Sequence, residues 1–135
     1  MIVNGFQIQP DAHLAGVDLN NANLKNADLN NSDLQGANLG AANLSHANLI
    51  GANLKNADLN QADLSFANLG AAILMNANLT NANLHFVILR LAKLYGANLT
   101  NADLRNAELI GANLRRANLT GAMMPDGWQD IVAAY

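Results

Sequence analysis

The residues of this 135-residue chain that could do chemistry are ten Asp and Glu, seven Lys and Arg, and three His; Cys is absent. A carboxylate pair working as general acid and base needs two groups converging in a concave, water-excluding site. Asp11, Asp18, Asp28, Asp33, Asp58, Asp63, Asp103 and Glu108 are instead strewn along the chain with no insertion to wall off a site. A zinc site needs several ligands at once, each within about 2.0–2.3 Å. His13, His46 and His85 are single residues far apart in the sequence, which reads as surface histidine. Without Cys there is neither a disulfide scaffold nor a thiolate metal site, and the redox compartment stays open. Catalytic, cofactor-binding and metal-binding residues are therefore all expected to be absent.

The spacing of these groups is set by something larger. A Leu stands at every fifth position from Leu14 to Leu119, unbroken. Two residues earlier is nearly always a small residue, as at Ala22, Ala27, Ser32 and Ala37, and between them is Asn or Asp. A period of five fits neither the 3.6 of a helix nor the 2 of a strand. As a helix the Leu residues would wind around every face; as one strand, alternate Leu residues would point to opposite faces. The pattern works if each five residues make a short extended segment and a turn, with Leu and Ala turned inward and several such segments closing into a coil. Gly or Asn usually follows Leu by two (Gly16, Asn21, Asn26, Gly36, Gly51, Asn56). These are the residues that best tolerate the positive φ at the third position of a type II turn. At Ala41, His46, Gln61, Phe66, Ala71, Phe86, Leu91 and Arg116, a turn without positive φ is expected.

Tandem Ala-(Asn/Asp)-Leu-x-x in register over residues 12–124 resembles the pentapeptide repeat family, in particular its cyanobacterial members, whose endings the run Met123-Met124-Pro125-Asp126-Gly127 is similar to. The resemblance implies an all-β fold: a right-handed quadrilateral β-helix with four pentapeptides per coil and about 5–6 coils, Leu and Ala stacked inside. Coils one strand spacing apart would give a rod on the order of 30 Å long. Residues 1–11, out of phase with the Leu frame, read as an N-terminal cap with an Asn4-Gly5 turn, which Pro10 ends. Residues 125–135 read as a C-terminal cap with room for a short helix, Trp128 and Ile131 or Val132 lying over the last coil.

Residues twenty apart should stack in such a coil. Asp18 and Asp58 then share a column with Asn38 between them, solvated rather than paired. His46 and His85 come near one corner about two coils apart. Asn78/Thr80, Asn98/Thr100 and Asn118/Thr120 form two parallel columns, a flat array of the kind found on ice-binding surfaces but only three coils tall. Matches to the glycosylation sequon, such as Asn43-Leu44-Ser45 and Asn78-Leu79-Thr80, arise from the repeat itself. The formal net charge is −3, and Arg105, Arg115 and Arg116 make only a small basic cluster, so nucleic acid is not an expected partner. No apolar run approaches the roughly 18 residues of a membrane span. The start lacks a basic segment followed by an apolar core. A cytoplasmic protein without membrane contact is expected, a lumenal or periplasmic mature form being left open.

Family resemblance also raises a DNA-mimicking role, because the quinolone-resistance members bind DNA gyrase. Those are associated with an acidic rod, often Phe at the central position, and in some members projecting loops. This chain has Leu there, no loops, and a second half carrying Arg90, Lys93, Arg105, Arg115 and Arg116. The reading adopted is a non-enzymatic structural or protein-interaction module with an unknown protein partner, monomeric or homodimeric; gyrase mimicry and ice binding are the alternatives. Its expected contact surface is where the outward Asn/Asp column changes character, at Ile73, Ile88 and Lys93. With Phe66, Met75, Phe86, Leu91 and Tyr95, these Ile residues would form one apolar patch, edged by Arg90 and Lys93.

Overall fold

The protein is described over residues 1–135 by a computed structural model. Parallel bridges join each residue at the Asn position to the one twenty positions on, in an unbroken series from His13↔Asp33 to Asp103↔Met123. The chain therefore climbs one coil per twenty residues as a parallel β-helix with four Leu columns. Each bridge is a single residue flanked by turns, which is why no long strand forms.

Following the N–H groups through one repeat, Ala52 to Asn56, shows what this geometry requires. Ala52 donates to the Leu49 carbonyl (3.0 Å), closing the turn. Asn53 donates back one coil to Ser32 (2.9 Å), while Leu54 and Asn56 donate forward one coil to Ile73 (2.7 Å) and Met75 (3.0 Å). That leaves the N–H of Lys55, which lies between turn and ladder; it donates to the side-chain Oδ1 of Asn53 at 3.1 Å. The same bond, from the residue after Leu to the Asn or Asp before it, forms at every Asn and Asp of that column from Asp18 to Asn118. A short side chain with an acceptor two bonds from Cβ is the one that folds back this way most readily. The Asn/Asp column is thus a backbone requirement as well as a polar surface.

The turns correct one expectation. Ala41 (φ 53°), His46 (61°), Gln61 (61°), Phe66 (60°), Ala71 (56°), Phe86 (58°), Leu91 (59°) and Arg116 (60°) all have positive φ, like the Gly and Asn residues at equivalent corners. The ladder dictates it. Leu91 N–H donates to the Ile110 carbonyl (2.9 Å) and Ala92 N–H to the Leu89 carbonyl (3.1 Å), and both bonds are needed to keep the coil in register. The left-handed conformation costs a residue such as Ala or Leu about 1–2 kcal/mol, and the repeat imposes it regardless of side chain.

Forty-one buried apolar residues form one continuous core. Leu14 to Leu114 are 0–2% exposed, and Val87 is buried where the neighbouring repeats carry Ala. Ser32, also buried, is satisfied: its hydroxyl donates to the Gln9 carbonyl (3.1 Å) and accepts from Ala12 N–H (3.2 Å).

At the N-terminus, β1 (Ile2–Val3) pairs antiparallel with β2 (Phe6–Gln7). Asn4 and Gly5 between them both have positive φ, the signature of a type I′ hairpin. Val3 and Phe6 pack against the core and Ile8 is buried. The hairpin pairing ends with the Ile8 N–H to Met1 O bond, short of Pro10. Pro10 is the first central residue of a turn closed by Ala12 N–H to Gln9 O (3.3 Å), and Asp11 N–H already donates to Asn30 O (2.9 Å) in the coil. Backbone coiling therefore starts before the Leu/Ala pattern does.

At the other end, a 3-10 helix covers Trp128–Asp130. The segment after it joins the ladder: Gly111 donates to Ile131 O (2.8 Å), Ala133 to Ala112 O (2.8 Å), and Leu114 to Ala134 O (2.7 Å). Asn113 bridges Ala134, twenty-one residues on, because the helical turn inserts one extra residue into the coil. Trp128 and Val132 pack on the core, whereas Ile131 is exposed.

Three outcomes follow for stability. Leu64→Ala should lose about 2–5 kcal/mol through a cavity, and Asn76→Ala, at an exposed corner, much less; equal losses in denaturant titrations would contradict the inward Leu column. Neighbouring alanines should respond with opposite sign: Ala41→Gly, relieving positive φ, should gain about 0.5–1 kcal/mol, whereas Ala42→Gly removes a buried methyl and should lose stability. Deleting Trp128–Tyr135 strands the N–H groups of Gly111 and Leu114 and should lower the melting temperature by several degrees; an unchanged melting curve would show that the tail adds nothing to the last coil.

Candidate interaction surface

The residues expected to form a patch are laid out around three adjacent columns of the coil. Phe66 and Phe86 occupy successive corners of the Leu24 column, half exposed, with ring centroids 5.1 Å apart and planes 8° from parallel. His46 stacks below Phe66 at 5.0 Å, and His85 leans on Phe86 at 4.6 Å. His85 Nε2 also lies 3.0 Å from Asn106 Nδ2. Both histidines thus belong to an aromatic ladder, and no group of His, Asp and Glu stands close enough to hold a metal ion.

Beyond that corner come Ile88 (half-buried) and Arg90, then Leu91, the most exposed apolar residue of the patch at 64%. The Leu91 side chain reaches up to the next corner, where Gly111 leaves room: a Cβ there would sit 2.6 Å from Leu91 Cδ2. Around the turn, on the Leu14 column, lie Ile73, Met75 and Tyr95, all half-buried, with Lys93 exposed between them. Arg116 lies over the Tyr95 ring at 5.9 Å, a cation–π contact.

Two members of the surface were not singled out from sequence. Ile50 (40% exposed) and Ile110 (45% exposed) share a column with Arg90, above and below it. Their signal was available: they are apolar residues at the outward position after Leu, Ile110 twenty residues above Arg90 and Ile50 forty below it, with Gly70 between. Arg90, read as a basic edge, is neutralised by Glu108 at 2.9 Å; Lys93 has no ion-pair partner.

The patch coincides with a second departure. At Ile73, Ile88, Lys93 and Glu108 the column lacks its Asn or Asp, so the N–H groups of Met75, Arg90, Tyr95 and Ile110 find no acceptor in the chain. Outside the patch the column also breaks at His13, which leaves the Ala15 N–H without an acceptor, and at Met123, where the residue it would serve is Pro125, which has no N–H.

Elsewhere the surface is regular. Asn38 Nδ2 donates to Asp18 Oδ1 (3.2 Å) and Asn78 Nδ2 to Asp58 Oδ1 (3.3 Å), tying those carboxylates into the coil. Thr80 and Thr100 turn their hydroxyls back onto Asn78 and Asn98 Oδ1 (2.6 Å each). The hydrogen-bonded Arg105 guanidinium holds the Asp103 carboxyl below the usual range. A shallow cleft of about 210 Å³ beside it is lined by Arg105, Asn106, Met124, Pro125 and Asp126. No helix is long and apolar enough to cross a membrane.

Comparison with known proteins agrees with the repeat. The pentapeptide repeats family matches in eight copies, over residues 11–44, 37–76, 57–96 and 97–125. The chain is 35% identical to HetL, a pentapeptide repeat protein involved in heterocyst differentiation regulation in the cyanobacterium Nostoc sp. strain PCC 7120. That match covers 89% of this chain and 70% of HetL at a TM-score of 0.31. It is 33% identical to Rfr23 of the cyanobacterium Cyanothece 51142, covering 89% and 88% at a TM-score of 0.34. Similarity to QnrB1, a plasmid-mediated fluoroquinolone resistance protein, is 18% identity over 93% of this chain and 91% of that one, at a TM-score of 0.43. No curated protein matches. On the repeats matched along nearly its whole length, the chain belongs to the pentapeptide repeat family and is similar to its cyanobacterial members.

Proposed function

We propose that this chain is a non-enzymatic protein-interaction module: a right-handed quadrilateral rod of about five to six coils, flanked by caps at residues 1–11 and 125–135, that docks a protein through the surface centred on Ile73, Ile88 and Leu91. The observation that carries this reading is that the surface is locally unfavourable. Phe66, Phe86 and Leu91, like Ala41, His46, Gln61, Ala71 and Arg116 at other corners, adopt positive φ without the local compensation available to Asn or Gly. Ile73 and Ile88 remove the acceptor that nearly every other repeat supplies to its own backbone. Strain and unpaired groups that gather in one exposed place are typical of binding sites. Exposed aromatic and aliphatic side chains are the usual anchors of protein interfaces.

An interaction role is also consistent with the absence of a walled site for chemistry. The DNA-mimicking alternative draws no support from the surface, whose apolar patch and unpaired Lys93 do not resemble a phosphate backbone. Ice binding is disfavoured by the Thr hydroxyls turned back onto Asn.

The double substitution Ile88→Asn with Leu91→Asn tests the reading. Asn at 88 supplies an acceptor to Arg90 N–H, and Asn at 91 suits positive φ, so the isolated rod should gain about 1–2 kcal/mol. Self-association, or capture of the partner from the native organism, should be lost. A variant that loses stability, or that binds as the parent does, would show that these residues serve the rod itself.

A further inference from the structure

The partner's chemistry can be read from the Leu14 column. From Asn53 upward its outward positions are Asn53, Ile73, Lys93 and Asn113 before each Leu, and Lys55, Met75, Tyr95 and Arg115 after it, with Arg116 at the last corner. Four cations stand there and no carboxylate does. Lys55, Lys93 and Arg115 form no ion pair, and Arg116 makes only its contact with Tyr95.

Within this column the N–H groups of Lys55 and Arg115 donate to Asn53 and Asn113 Oδ1, at 3.1 and 3.0 Å. Those of Met75 and Tyr95, one coil apart, have no acceptor because Ile73 and Lys93 stand where Asn would. The missing acceptor lay on the outward side, so the two free donors point outward, between an apolar side chain and a lysine.

The geometry points to an acidic, apolar-anchored polypeptide segment as the occupant, its carboxylate oxygens taking the N–H groups of Met75 and Tyr95 in place of the missing Asn oxygens. Lys93, Arg115 and Lys55 balance its charge, and its apolar side chains lie on Ile73, Met75 and Leu91. Carboxylates bonded by both backbone N–H and a cation make the stronger class of hydrogen bond. A second copy of this chain fits less well, since a two-fold axis through the patch sets Lys93 over Lys55. Nucleic acid would bring a run of phosphates to only four cations and no aliphatic side chain to lie on Ile73, Met75 and Leu91. This inference rests on the proposed interaction surface and adds the partner's chemistry to it.

The test uses the full chain, isotope-labelled, and a fluorescein-labelled peptide of alternating Asp and Leu about ten residues long, with a Lys-Leu peptide and a single-stranded oligonucleotide as controls. Saturable, salt-sensitive binding of the Asp-Leu peptide alone is expected, with downfield shifts of the Met75 and Tyr95 amide protons. In Ile73→Asn with Lys93→Asn, which restores both internal acceptors, the peptide's affinity should fall at least about tenfold while the melting temperature holds or rises. Lys25→Asn, on another column, should bind as the parent does. No saturable binding, unmoved amide shifts, undiminished binding by the double variant, or preference for the oligonucleotide would each overturn the inference. If Ile88→Asn with Leu91→Asn still abolishes capture of the native partner while the Asp-Leu peptide does not bind, the interaction surface stands and only the acidic partner is refuted.

Discussion

The rod depends on closing nearly every backbone N–H within one coil of its own position. Three of the five N–H groups in a repeat go to the ladder, one closes the turn, and the fifth has no backbone acceptor in reach. A buried or half-buried N–H left open costs about 1–3 kcal/mol, and the repeat meets that cost with the Oδ1 of the Asn or Asp two residues earlier. Helices and long strands need no such device, because their periodic bonding reaches every interior residue. Here the extended segment is too short and the turn too frequent. The side chain completes what the backbone cannot.

The same ladder imposes positive φ at every corner, whatever residue is there. Gly and Asn accept it readily, but Ala41, Ala71, Phe66, Phe86 and Leu91 adopt it as well, held by bonds to the coils above and below. The Leu columns supply the opposing stabilisation. Each fully buried Leu contributes roughly 1.5–3 kcal/mol, and every coil holds several, so a solenoid can carry occasional strained corners. Its stability is close to a sum of repeats and their interfaces, which confines the cost of an irregular coil to that coil and its neighbours. Such a scaffold can host an unfavourable surface without losing its fold.

Much of this was legible in the sequence because the period is short and seldom broken. Leu at every fifth position implied an inward column, and residues such as Phe66 and Phe86, twenty apart, were expected to stack, as they do. The corner conformation at Leu91 was not legible, since the residue's own preference opposes it and the ladder decides. Nor was the bond from Asn53 Oδ1 to Lys55 N–H, because Asn on an outward face is fully accounted for by solvation. The C-terminal tail was read as a lid, and Trp128 does cover the core. Its return to the ladder at Ala134, one residue out of phase, follows from a 3-10 turn that eight residues of sequence do not specify. Ile73, Ile88 and Lys93 stood out as breaks in a column. That the breaks also free backbone donors needed the geometry.

Native-state amide hydrogen exchange on a single column tests the central claim most directly. Lys55, Met75, Tyr95 and Arg115 occupy equivalent positions on successive coils, and only the first and last have an Asn acceptor beneath their N–H. The account predicts that Met75 and Tyr95 amides exchange at least about tenfold faster than those of Lys55 and Arg115. Equal protection along the column, or slower exchange at Met75 and Tyr95, would contradict the role given to the Asn and Asp side chains.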